Sequence, residues 1–360
     1  MILLLFLVVG VLASPSLAQF PCPDNALIAP CICTVDDPMT QLNMDCSAVT
    51  SDAELENAFQ QEFPFHDFDS FTLLAKTSEP RIPITKLTKE LFNSVTFTNF
   101  TISHTNLKTI APDTFTLSLQ RIHTIVITDS FLDTFPFDIL VDTPHLKDLR
   151  LFRNQITHMS NLNSNSLEYL HVSYNRGLGY GDQVFWGVPN LKWLVLNDLD
   201  QVYVAADSFI YLQQLEYLDL SFNKLHTLYN KSLHFHPSAT VQQIKLEGNE
   251  IDNVEVDAFK GLKPGVLLWM QHNRLVDLPE QVWKNTFEEV RGDPTSALFV
   301  FDDNELVCEC NLAWLIVTND YLDILARGST CAGTNDFIHD LDQHFFECQC
   351  GLVTCPPDTY

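Results

Sequence analysis

Basic side chains are scarce in this chain. Its 360 residues include 20 Lys and Arg against 46 Asp and Glu, a formal net charge of −26 at pH 7. That balance repels polyanions, so no nucleic acid partner is expected, and a bilayer surface rich in anionic lipid is equally unsuited. Long apolar runs are few as well. Beyond the first residues none reaches the ~18 needed to suggest a bilayer span, and the tail from Cys350 to Tyr360 is no hydrophobic anchor signal, so no membrane anchor is expected. Cysteine is missing from the whole stretch between Cys46 and Cys308, which confines any disulfide framework to the two ends. Catalytic signatures are absent too. There is no Gly-x-Ser-x-Gly elbow, His-Glu-x-x-His pair, phosphate-cradling Gly-x-x-x-x-Gly-Lys or calcium-loop spacing, so no cofactor, metal or catalytic residue is expected and the chain reads as no enzyme.

What is present begins with a leader. Met1 to Ala13 is apolar and too short to span a bilayer, and Ser14 to Gln19 offers the small residues a signal peptidase reads. Its only early positive charge is the α-amino group. A secretory signal over 1–18 is expected, with a mature chain starting at Gln19, secreted and extracellular. The ten cysteines fall into one group at Cys22, Cys31, Cys33 and Cys46 and another at Cys308, Cys310, Cys331, Cys348, Cys350 and Cys355. An even count in an oxidising compartment reads as disulfides, with zinc the minor alternative.

Stapled ends around an unstapled middle suit a repeat array, whose first and last units expose apolar faces that need caps. The middle does repeat. A template of apolar residues at positions 1, 4 and 6, Asn at 9 and an apolar residue at 11 fits Leu146, Leu149, Leu151, Asn154 and Ile156. It fits again at Leu215, Leu218, Leu220, Asn223 and Leu225, and at Val241, Ile244, Leu246, Asn249 and Ile251. Further copies end on Asn175, Asn273 and Asn304, weaker ones carry Thr105 and Ser130 at position 9, and one has Leu199 there. The spacing is about 24 residues, that of a leucine-rich repeat. The fold class expected is an α/β solenoid, a leucine-rich repeat horseshoe with a parallel β-sheet on its concave face and disulfide-bonded N- and C-terminal caps.

Side chains alternate along a strand, so positions 4 and 6 face the core and positions 3, 5 and 7 face out. The position-9 Asn can bond the turn it occupies; Leu199 cannot, so a rearranged turn is expected there. Phe115, Phe137, Phe185, Phe209, Phe259 and Val282 recur in the second half of each copy and read as a stacked spine. The concave surface then carries Asp148, Tyr169, Trp193 and Tyr217 at position 3. At position 5 it carries Arg150, His171, Val195, Asp219, Lys245 and Trp269, and at position 7 Phe152, Ser173, Asn197, Ser221, Glu247 and Gln271. Exposed Tyr and Trp anchor protein interfaces by burying large rigid area at small entropic cost, so this face is the expected site for a protein partner.

Smaller motifs are less specific. Gly177 to Gly181 reads as a loop, and His234 with His236 as ordinary exposed histidines rather than metal ligands. Arg291-Gly292-Asp293 is the integrin-binding tripeptide in the longest repeat. Asn99-Phe100-Thr101 and Asn230-Lys231-Ser232 are glycosylation acceptors in sequence.

The repeats and end clusters resemble those of extracellular leucine-rich repeat proteins. More narrowly, Ala29 to Thr34, Met44 to Ser47 and Glu62 to Phe65 are similar to the family of the non-catalytic subunit of oplophorus-luciferin 2-monooxygenase, a shrimp luciferase, and its arthropod relatives. The resemblance implies pairs Cys22–Cys33, Cys31–Cys46, Cys308–Cys331 and Cys310–Cys348, leaving Cys350 to Cys355. It implies an N-terminal cap over 19–66, roughly nine to ten repeats over 67–306, and a C-terminal cap and tail over 307–360. It also implies a non-catalytic accessory subunit in a hetero-oligomer, since light emission there resembles the work of a separate chain. The alternative is an extracellular recognition or cell-adhesion protein that binds cell-surface or microbial ligands.

Overall fold

The structure is a computed structural model; it describes residues 22–36, 41–292, 297–318, 320–334 and 336–354. The leader expected over 1–18 and its cleavage point lie outside the described residues.

Twelve strands form one sheet in chain order. The first two, β1 (Ile32–Val35) and β2 (Leu42–Asp45), pair antiparallel, and every later neighbour is parallel. These later strands are β3 (Asp67–Leu74), β4 (Thr96–Ser103), β5 (Thr124–Thr128), β6 (Asp148–Arg150) and β7 (Tyr169–His171). They continue as β8 (Trp193–Val195), β9 (Tyr217–Asp219), β10 (Gln243–Lys245), β11 (Leu267–Trp269) and β12 (Leu298–Val300). Each position 4 aligns with the next, from Phe71 and Phe100 through Leu149, Leu170, Leu194 and Leu218 to Ile244, Leu268 and Phe299, and all are buried. The alternation in the sequence therefore becomes one continuous core face.

The turn after each strand follows from two recurring features. Position 8 adopts the left-handed region in nine successive copies from β4 onward, at His104, Asp129, Arg153, Tyr174, Asp198, Phe222, Gly248, His272 and Asp303, with φ from 49° to 65°. The buried Asn at position 9 then knits adjacent turns. Asn175 donates from Nδ2 to the carbonyls of Val172 at 2.7 Å and Leu151 at 2.9 Å, and its Oδ1 accepts from the N–H of Ile156 at 2.9 Å. Asn223, Asn249, Asn273 and Asn304 repeat the pattern. At Thr105 and Ser130 two hydroxyls bond each other at 2.8 Å in place of the amides. The Leu199 turn is rearranged as expected, with a second left-handed residue at Asp200.

Opposite the sheet, Phe185, Phe209 and Phe235 stack at 6.0 and 6.1 Å between centroids, so Phe235 also belongs to the spine. Phenylalanine dominates the first turns as well, where Phe59, Phe71, Phe92, Phe97 and Phe100 pack edge-on and tilted. Helix α1 (Asp52–Phe59) closes that end; Ser51 accepts from the N–H of Glu54, and Glu54 in turn accepts from the N–H of Thr50. Helix α2 (Glu280–Val290) buries Trp283 and Phe287, and Trp314 stacks on Phe287, which closes the other.

Disulfides Cys22–Cys33, Cys31–Cys46 and Cys308–Cys331 form as the resemblance implied. The fourth differs. Cys310 pairs with Cys350 across 5.5 Å between Cα atoms, not with Cys348, so the Cys350–Cys355 pair is also excluded. Cys350 caps helix α3 (Gln343–Gln349), and residues two apart at a helix end point about 200° from each other, so only one of the two cysteines can face Cys310. Cys348 is itself disulfide-bonded, and Cys355 lies outside the described residues.

Candidate protein-binding surface

In-register parallel strands hold equivalent side chains about 4.8 Å apart, the right distance for rings to stack. Tyr169, Trp193 and Tyr217 occupy aligned positions on β7, β8 and β9. Trp193 lies 19° from parallel with Tyr217 at 4.7 Å, and 25° from parallel with Tyr169 at 6.4 Å. Both ends of this stack are closed by a cation. The Arg150 guanidinium from β6 sits 4.7 Å over Tyr169, and the Lys245 ammonium from β10 sits 5.9 Å over Tyr217. Five consecutive strands thus contribute one column of cation, three rings and cation.

Neighbouring groups hold the column in place. Arg150 makes a two-pronged contact to Asp148, at 2.9 Å from Nε and 2.7 Å from Nη2. The Tyr217 hydroxyl donates to Asp219 at 3.2 Å, and the other oxygen of Asp219 accepts from the N–H and hydroxyl of Ser221. Burial and the Asp219 carboxylate push the Tyr217 hydroxyl pKa well up, so it stays protonated and donating. His171 stacks on Phe152 at 4.4 Å, and burial with Arg150 nearby lowers its pKa to about 4, which keeps it neutral at physiological pH.

The rings lean across the fifth position, so Val195 and Asp219 are only 8% exposed. They act as floor and buttress rather than as open contacts. Trp193 is 42% exposed. Phe152, Tyr169, His171, Tyr217 and Lys245 are half-buried, as is Trp269, which lies two strands beyond Tyr217 and outside the stack. Two aromatics that strand alternation did not select flank the surface. Tyr174 lies under Arg153 at 5.2 Å, and Phe222, 53% exposed, covers Gly248. Both occupy position 8, where the left-handed turn holds the side chain out of the core, and an aromatic at that position was the available signal.

The other motifs are dispersed. His234 bonds Asp207 at 2.6 Å and His236 bonds Ser238 at 2.7 Å, and among the described residues no group of three or more His, Cys, Asp or Glu is placed to hold a metal ion. Arg291 pairs with Asp320 at 3.5 Å and covers the Tyr321 ring at 5.7 Å; Asp293 lies outside the described residues. Gly179 and Tyr180 form a short strand beside His158 and Met159. Asn99 lies on β4, and Asn230 is exposed in a turn.

No protein-family model matches the chain. It is 30% identical over 333 residues to the Oplophorus-luciferin 2-monooxygenase non-catalytic subunit of Oplophorus gracilirostris, covering 91% of this chain and 88% of that one. Human lumican is 33% identical over 137 residues, 37% of each chain. Among solved structures, a chain of the octameric complex of latrophilin 3, Unc5D and FLRT2 superposes with a TM-score of 0.60 at 17% identity, covering 82% of this chain and 86% of that one. A chain of the Toll–Spatzle complex from Drosophila gives 0.58 at 18% identity, covering 83% of this chain and 44% of that one. These two carry the leucine-rich repeat fold.

Proposed function

This chain belongs to the family of the Oplophorus-luciferin 2-monooxygenase non-catalytic subunit, and we propose that it is a secreted scaffold that binds and stabilises a second secreted protein. It is not an enzyme. Disulfides near both termini suit an oxidising compartment, and among the described residues no helix is long and apolar enough to cross a membrane.

The observation that carries the reading is the column from Arg150 through Tyr169, Trp193 and Tyr217 to Lys245. Its ring faces are already occupied, by one another and by the two cations. What it presents outward is a row of ring edges with electropositive hydrogens, fixed in advance and apolar. Such a row suits the carbonyls and apolar side chains of a polypeptide better than the faces of sugar rings, which would need free aromatic faces. Because the column is held by its own contacts, little side-chain entropy is lost on binding.

A scaffold of this kind acts through mass action. A ligand that binds only the folded form of its partner stabilises it by RT ln(1 + [L]/Kd), about 2.7 kcal/mol at a hundredfold excess over Kd. The test is purification of the chain from its native fluid, followed by melting of the co-purified partner with and without it. A stoichiometric small protein whose melting temperature rises supports the reading. Recovery of membrane protein or glycan instead moves it to cell-surface recognition, and oxidation of a luciferin-like substrate by the chain alone overturns it.

A further inference from the structure

Asn99 opens the tripeptide Asn99-Phe100-Thr101, an acceptor sequence for N-linked glycan. Such acceptors usually lie in surface loops, but this one lies within strand β4. Phe100 between the two polar residues is fully buried, so alternation turns Asn99 and Thr101 together onto the open face of the sheet, both half-buried. Asn99 aligns with Ser70 on one side and Thr124 on the other, and Thr101 with Thr72 and Val126. The surroundings are therefore short side chains, mostly hydroxyls. The aromatic column begins only at Tyr169, three strands further on.

One contact fixes the direction of the acceptor. Asn99 Nδ2 donates to the carbonyl of Asp69 at 3.0 Å. Glycosylation replaces one of the two amide hydrogens and leaves the other, so the same bond can persist with a sugar attached and aim the first residue along the sheet rather than away from it. A low floor lined with hydroxyls accommodates a saccharide, whereas the ring column three strands further along is tall and aromatic.

We propose that Asn99 carries an N-linked oligosaccharide lying over the N-terminal half of the open sheet face, which leaves the aromatic half as the part open to a protein partner. The proposal rests on the extracellular reading above, but its test does not depend on any partner. The full chain with its own leader is expressed in insect cells and collected from the medium. Peptide-N-glycosidase in heavy-oxygen water then marks each occupied Asn by its conversion to Asp. Asn99 is expected to be marked, and Thr101→Ala is expected to remove one glycan's worth of mass while Asn230, the exposed acceptor, serves as an internal control. On the native protein, release from Asn99 is expected to be several-fold slower than release from Asn230. A secreted chain with an unmodified Asn99 overturns the proposal and leaves the extracellular reading standing. Equal release rates overturn the placement along the sheet, and a chain absent from the medium overturns both the proposal and the reading beneath it.

Discussion

The backbone N–H of Gly177 donates to the carbonyl oxygen of Leu199 at 3.0 Å. In most other copies the equivalent N–H meets an Asn side chain, as Ile156 meets Asn175, Leu225 meets Asn249 and Leu275 meets Asn304. Where Leu replaces Asn, the turn adds a left-handed residue and offers a carbonyl instead. The donor is thus satisfied in both cases, a constraint that matters because at the buried Ile156, Leu225 and Leu275 an unpaired N–H would cost about 1–3 kcal/mol.

That constraint predicts the cost of removing an amide without rearranging the turn. Asn175→Ala strands the N–H of Ile156 and the carbonyl of Val172, both in fully buried residues, while the carbonyl of Leu151 keeps its bond from Asn154. The variant should lose about 2–4 kcal/mol of stability in urea unfolding. Hydrogen exchange at the Ile156 amide should speed up before that of distant repeats, since each unit leans only on its neighbours. Wild-type stability in Asn175→Ala would mean the turn carries its own order.

Trp193 and Leu194 are adjacent in sequence and face opposite ways, as do Tyr217 and Leu218. Trp193→Ala and Tyr217→Ala should each weaken partner binding by about 1–3 kcal/mol while leaving the melting curve nearly unchanged. Leu218→Ala, fully buried, should cost about 2–5 kcal/mol of stability. Calorimetric melts beside titration of the co-purified partner separate the two effects, and unfolded aromatic variants with a harmless Leu218→Ala would refute the assignment of faces.

The repeat register was legible because it rests on local spacing: apolar residues at 4 and 6 of each copy set both the strand and its buried face. The ring stack was legible for the same reason, since Tyr169, Trp193 and Tyr217 share one position. The capping cations were not, because Arg150 and Lys245 sit at a different position of their own copies and meet the rings only through lean across strands. His234-Phe235-His236 drew notice for its histidines, yet Phe235 is the residue that joins the buried spine. A spine partner one repeat away is visible in sequence only after the irregular half of each copy has been aligned, and that half varies in length.

His171 gives a pH dependence of definite sign. Its folded pKa is lowered to about 4 from an ordinary 6.5, first by burial and then by Arg150, with Asp219 and Asp148 opposing. The stability tied to its neutral form is present above pH 6.5. It is lost as pH falls from 6.5 towards 4, because the unfolded chain takes up a proton that the folded chain refuses. His171→Phe, which keeps a ring against Phe152, should flatten the fall in melting temperature across that window, measured in a buffer series. An unchanged slope would show that His171 does not titrate differently on folding.

The C-terminal cap yields a prediction on which spacing and geometry disagree. Counting residues against related caps favours Cys348 as the partner of Cys310, but Cys350 at the end of α3 is the residue that lies 5.5 Å from it between Cα atoms. The bridge closes a sequence separation of 40, and by loop entropy alone a link of that length is worth about 4 kcal/mol. Non-reduced peptide mapping of the secreted chain should recover a Cys310–Cys350 fragment, no alkylatable thiol, and a mature terminus at Gln19. Cys350→Ser should expose Cys310 to alkylation and lower the melting temperature of the cap. The repeats far from it should hold, because helix α2 and Trp314 still cover the last core turn. A Cys310–Cys348 fragment in the native chain would restore the spacing rule and show that α3 ends differently from the arrangement described.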